Sequence, residues 1–227
     1  MSTLERLNRE IVSCTRCPRL VEHREAVARE KRRMYRDWDY WGRPVPGFGN
    51  SSARVLILGL APAAHGANRT GRMFTGDGSG DWLWRVLHKY GFANQPSSRH
   101  RDDGLAIEDI YISASLRCAP PGNKPLAQEL SNCRSYLLAE LKLLTRLRVV
   151  VALGKIAFDN YLAISKELGH PVPSPRPRFG HRLVYELDPG VTLVGSYHPS
   201  RQNTQTGKLT QEMFDQLFET VRGLLDR

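Results

Sequence analysis

Two stretches of this 227-residue chain place reactive side chains directly after an apolar run. His198-Pro199-Ser200-Arg201-Gln202-Asn203 follows the apolar run 191–197, so an imidazole, a stiffening proline and a cation stand at the end of a predicted strand. In an open α/β sheet, ligands bind outside the carboxyl ends of the strands. Gly59-Leu60-Ala61-Pro62-Ala63-Ala64-His65-Gly66 follows the apolar run 54–58 in the same way, and the two loops are expected to face each other across one cleft. A third loop, Gly71-Arg72-Met73-Phe74-Thr75-Gly76-Asp77-Gly78-Ser79-Gly80, precedes a predicted helix, whose N–H groups favour anions. It matches neither a Walker loop nor a dinucleotide fingerprint. Asp77 is either a reactive carboxylate or a helix cap, and Phe74 either a stacking platform or a core residue.

The four cysteines form two local pairs. Cys14 and Cys17 are spaced C-x2-C, while Cys118 follows a predicted strand and Cys133 lies on the apolar stripe of a predicted helix. Four thiolates suit zinc or an iron-sulfur cluster, and the spacing does not separate them. Cys133 as simple core packing is the other reading.

Positioning these groups requires strands that end together. Four apolar runs, 54–60, 109–115, 147–153 and 191–196, read as buried parallel strands, with a further short strand allowed over 182–187. Helical patterns fall at 3–12, from Pro18 to about Arg33, from near Gly80 to Gly91, over 130–144 and over 209–224. Alternating strands and helices predict a three-layer α/β/α sandwich around a central four-stranded, mostly parallel sheet. Residues 1–227 are expected to form one domain, with an N-terminal arm, 1–50, tied to the core by the cysteines.

Lys and Arg number 33 against 23 Asp and Glu, a net charge of +10, and the pI is about 9.8. This favours a polyanionic partner, although a basic soluble protein needs none. Pro-rich segment 171–182 carries Arg176, Arg178 and Arg182 and no acid, and reads either as a phosphate-contacting loop or as a solvated one. The N-terminus lacks a secretory h-region and no run is long enough to span a membrane, so a cytoplasmic location is expected.

In order along the chain, Cys14-x2-Cys17, Gly42-Arg43-Pro44-Val45-Pro46-Gly47-Phe48-Gly49, Gly59-Leu60-Ala61-Pro62-Ala63, the Gly71–Gly76 loop, Cys118-x14-Cys133 and the His198–Asn203 segment resemble the iron-sulfur uracil-DNA glycosylases, most closely the family 5 branch. The resemblance implies a [4Fe-4S] cluster on the four cysteines and hydrolysis of the N-glycosidic bond of uracil, or of hypoxanthine and other deaminated bases, in DNA. Family 4 relatives carry an acid in the loop that corresponds to Gly59-Leu60-Ala61-Pro62-Ala63, which has none here, and a base-reading Asn that is replaced in Tyr111-Ile112-Ser113-Ala114.

Within that reading His198, Asp77 and Asn123 are the candidate catalytic residues. Ala61, Phe74, Ala114, Asn123 and His198 would bind the base. Ser200, Arg201, Gln202, Asn203, Arg176 and Arg178 would contact DNA, and the protein would act as a monomer. The alternative is a metal-containing nucleic-acid-binding module without catalysis.

Overall fold

A computed structural model describes residues 3–188 and 190–226. Strands β1 (Phe48–Gly49), β2 (Val55–Gly59), β3 (Ile110–Ala114), β4 (Val149–Leu153), β5 (Val184–Asp188) and β6 (Val191–Ser196) make one sheet in the order β1-β3-β2-β4-β6-β5. The four expected strands β2, β3, β4 and β6 pair in parallel. The sheet nevertheless has six strands rather than four, because β1 and β5 add antiparallel edges. β1 is two residues long and leaves no periodic trace. β5 is a partly exposed edge strand, and only its outline was legible as the run 182–187.

The central runs are apolar at every position because both faces of the sheet are covered. Successive residues point to opposite faces. Val55, Ile57, Ile110, Ile112, Val149 and Val151 meet α4 (Gly78–Lys89) and α8 (Gln211–Leu225) on one face. Leu56, Leu58, Tyr111, Val150 and Ala152 meet α1 (Thr3–Val12), α5 (Ala127–Leu143) and α6 (Lys155–Glu167) on the other. The remaining helices are α2 (Pro18–Glu30), α3 (Ala67–Thr70) and α7 (Arg201–Gln205). Helix α6 shows no apolar stripe in the sequence because Phe158, Asn160, Tyr161, Leu162, Ile164 and Ser165 are all buried, on several of its sides. Among the described residues no helix is long and apolar enough to cross a membrane.

One buried polar group fastens α5 to the sheet. Glu140 is fully buried and accepts hydrogen bonds from Tyr111 Oη (2.9 Å), Ser113 Oγ (2.7 Å) and Arg117 Nη2 (2.5 Å). Arg117 itself is 1% exposed. Gly47 passes close over the phenol, since a Cβ there would lie 2.0 Å from Tyr111 Oη.

Breaking a buried pair by removing one partner leaves an uncompensated charge and costs about 3–5 kcal/mol. Glu140→Ala should therefore lower the unfolding free energy by about that amount in a denaturant titration. Tyr111→Phe, which removes one donor to a charged acceptor, should cost about 1.5–3 kcal/mol.

Candidate active site and cysteine cluster

β2 and β4 are neighbours, yet the chain leaves β2 for α4 on one face and leaves β4 for α6 on the other. Such a switch point opens a crevice at the carboxyl ends of the strands. Three small residues floor it: Gly59 at the end of β2, Ala114 opposite it in β3, and Gly154 after β4. A Cβ on Gly59 would lie 3.3 Å from Phe74 Cζ, and one on Gly154 would lie 3.8 Å from His198 Cβ. The rings of Phe74 and His198 stack, with centroids 6.0 Å apart and planes at 29°. Two distant segments of chain are thereby brought together. Ala61, half-buried, also packs against the cluster of Leu20, Leu116, Cys118 and Cys133.

Phe74 is held in an unusual backbone state. Its φ is +52°, a region that bulky residues rarely enter. Trp84 Nε1 donates to the Phe74 carbonyl at 2.6 Å, and a Cβ on Gly80 would come within 2.1 Å of that oxygen. Arg72 secures the base of the same loop by donating to Thr75 Oγ1, Ser98 Oγ, the carbonyls of His100 and Arg101, and Asp103.

Asp77 caps α4, with Oδ1 accepting from the Gly80 amide at 2.9 Å. Its other oxygen fits against Gly66, where a Cβ would lie 2.0 Å from Oδ2. Burial raises the Asp77 pKa, opposed by the amides of Gly80 and Ser79 and by Arg69. Arg69, 3% exposed, bridges the Gly59–Gly66 and Gly71–Gly80 loops by donating to the carbonyls of His65 (2.8 Å) and Gly76 (2.8 Å).

In the His198 loop, Asn203 Nδ2 donates to the His198 carbonyl at 2.8 Å, and Ser200 Oγ accepts from the Asn203 amide. Ser200 and Asn203 thus shape the loop. Arg201 and Gln202 are exposed, and their side chains make no hydrogen bond or ion pair with described residues. Burial lowers the His198 pKa to about 4, so the ring is neutral at pH 7. No described residue hydrogen-bonds that ring.

Asn123 is exposed with φ +57°, in the turn after Pro121, and makes no hydrogen bond with Phe74, Asp77 or His198. Arg176 and Arg178 are exposed, but the acid missing from their own segment comes from α6. Asp159 Oδ1 lies 3.6 Å from Arg176 Nη2, so Arg176 has an ion-pair partner at the surface.

All four cysteines are free thiols, and they sit around Leu20, Leu116 and Tyr136 where α1, α2, the end of β3 and α5 meet. No group of three or more His, Cys, Asp or Glu side chains closes around a single metal ion among the described residues. The surroundings are rich in donors aimed at sulfur. Arg24 Nη1 lies 3.2 Å from Cys118 Sγ, and Asn132 Nδ2 lies 3.4 Å from Cys17 Sγ. Arg24 Nε and Arg117 Nε and Nη1 are buried without partners. Burial pushes the Cys118 thiol up to about 12, with Arg24 opposing it. Unspent N–H donors around four thiols match a sulfur-rich anionic group, in which each thiolate takes a separate iron.

Arg69, Gly66, Gly154 and Glu140 were not singled out by sequence reasoning. Each acts through contacts remote in sequence, and only the glycines, standing just beyond predicted strands, left a local sign.

A sequence profile described as the uracil DNA glycosylase superfamily matches residues 46–222. The chain is similar to the type-5 uracil-DNA glycosylase of Mycobacterium tuberculosis, with 52% identity over 96% of this chain and 80% of that protein. Proteins of the same name from Mycobacterium leprae and Thermus thermophilus are each 49% identical, covering 98% and 93% of this chain and 96% and 94% of their own lengths. The chain therefore belongs to the uracil DNA glycosylase superfamily.

Proposed function

We propose that this single-domain, monomeric protein excises uracil, and with it hypoxanthine or other deaminated bases, from DNA in the cytoplasm. The observation that carries this reading is the stacked Phe74–His198 pair over the glycine floor of the switch-point crevice. A base in a duplex must be flipped out before water reaches its glycosidic bond. The exposed Arg201 and Gln202 are suited to hold the opened strand, on a loop shaped by Ser200 and Asn203. Phe74 would stack on the extruded base, with Ala61 and Ala114 adding small apolar surfaces.

In hydrolysis the C1′–N1 bond breaks, its electron pair leaves with the base, and water oxygen bonds C1′. Negative charge grows on the base and positive charge on the sugar. Neutral His198 donates an N–H to the developing anion, as preorganised donors do in acyl transfer. Asp77 stabilises the cationic sugar and orients water, which passes its proton to solvent. Asn123 has no fixed partner and is free to meet the base edge.

The four cysteines would hold a [4Fe-4S] cluster that crosslinks the N-terminal segment to the core and carries no catalytic step. Arg24, Arg117 and Asn132 would supply N–H donors to it. Free thiols accord with a reducing cytoplasm.

Incubation with a uracil-containing oligonucleotide, followed by alkaline cleavage, should give product. Binding without cleavage would favour the non-catalytic module instead. His198→Ala should slow single-turnover excision by about 10²–10³, the usual effect of losing one such donor. Gly66→Ala and Asp77→Asn should both impair excision, because the first pushes the carboxylate from its seat. Asp77 acts ionised and its pKa is raised, so activity should fall with decreasing pH through a value above 3.8, and Asp77→Asn should remove that limb. His198, neutral above about 4, adds no limb near neutrality. Excision by Asp77→Asn at the parental rate would make the carboxylate a helix cap only.

The purified protein should be brown, with iron and acid-labile sulfide in equal amounts, and Cys133→Ala should lose both. Because Asp159 partly neutralises Arg176, Arg178→Ala should lower the salt slope of DNA binding more than Arg176→Ala, by about 0.9 for one phosphate contact.

A further inference from the structure

Beyond the active-site loops, a concentrated run of positive charge lies on the segment 31–36. Lys31, Arg32, Arg33 and Arg36 flank Met34 there, with no acid before Asp37. Arg32, Arg33, Met34 and Arg36 are exposed, Met34 by 70%. The three arginine side chains make no ion pair or hydrogen bond with described residues.

Charged runs of this kind usually belong to a loose, solvated face. Here the inner side of the segment is fixed to the site. Tyr35 and Trp38 clasp the Arg69 guanidinium, their ring centroids 3.9 and 4.0 Å from it. Tyr40 Oη lies 3.1 Å from His65 Nδ1, Trp41 donates its amide to the Arg69 carbonyl, and Gly42 donates to that of Asn68. Lys31 Nζ closes the turn on the Arg36 carbonyl. Arg69 in turn holds the carbonyls of His65 and Gly76, next to Asp77. The strap is therefore an anchored platform beside the loops of the site, and its exposed arginines have no ion pair among the described residues.

We propose that Arg32, Arg33 and Arg36 form a second DNA-contact surface, which takes phosphates next to the extruded nucleotide. The identity of the polyanion rests on the glycosylase reading above. Exposed guanidiniums release condensed counterions when they meet phosphate, and they add affinity without reading sequence. Anchoring the backbone that carries them lowers the ordering cost of binding.

The test is the affinity of the purified protein for a uracil-free duplex as a function of potassium chloride. Replacing all three arginines by Ala should weaken binding at least ten-fold and flatten the log–log salt slope by about 2–3, given about 0.9 per phosphate. The matching triple Lys variant should keep the slope, and Lys142→Ala, on the far helix α5, should leave it unchanged. The triple Ala variant should also need more enzyme to reach its plateau of uracil excision. Thermal unfolding checks that the anchors Tyr35 and Trp38 still hold the strap. A folded triple Ala variant with the parental slope and affinity would make the strap a solvated face and overturn the proposal. A triple Lys variant as weak as the Ala one would overturn its electrostatic basis. Duplex binding that depends on the strap, in a protein that excises no uracil, would sink the glycosylase reading and leave the surface standing.

Discussion

Much of this structure hangs on one buried carboxylate. Glu140 receives Tyr111 and Ser113 from β3 and Arg117 from just beyond it, so α5 can approach the sheet in only one way. Arg117 immediately precedes Cys118, and Cys133 lies two turns before Glu140 on the same helix. The pair that docks the helix therefore also sets the distance between two thiols. The phenol that Glu140 orients lies under Gly47, which leads the chain from the N-terminal segment into the edge strand β1. A buried ion pair is a poor source of net stability against an apolar alternative. Its use here is geometric, since an apolar contact would tolerate a slipped helix and a three-donor acceptor does not.

The candidate active site is built on a second set of constraints, which tie its loops to one another and to the helices beside them. Phe74 sits in a left-handed backbone conformation that costs about 1–3 kcal/mol for such a residue. The Trp84 indole, the close approach of Gly80 and the fan of bonds from Arg72 offset that cost. The ring, packed against the edge of the core, is consequently also presented flat toward His198. Arg69 does the same work one loop away, joining His65 to Gly76 while Tyr35 and Trp38 close over it. Rigid loops of this kind suit a reaction whose catalysis consists of placing dipoles before charge develops.

Charge is distributed to match. The interior of the site holds a neutral imidazole and a carboxylate whose ionisation burial disfavours. Guanidiniums with no ion pair among the described residues stand outside, on the His198 loop and on the strap. In the proposed reaction steering and affinity would thus be separated from chemistry: the outer cations would act on a polyanion at long range, while the inner groups would act on charge that exists only during bond cleavage.

The sequence by itself determined the parallel strands β2, β3, β4 and β6, the helices beneath the clear apolar stripes, and the loops that carry His198, Phe74 and Asp77. These follow from periodicity and from glycine and proline placement, which are local properties of the chain. The order of motifs was enough to indicate the family. Only the tertiary structure decided that β1 and β5 complete a six-stranded sheet, because edge pairing depends on a partner supplied from elsewhere. It likewise decided that α6 is buried on several sides, which erases the stripe a surface helix shows. That Ala61 packs against the cysteine cluster and that Asn123 is exposed in a turn with positive φ were likewise visible only in the tertiary structure. Arg176 found Asp159, and Arg69 became the bridge between loops. Side-chain direction and ion pairing are settled by neighbours distant in the chain, and no local pattern encodes a neighbour.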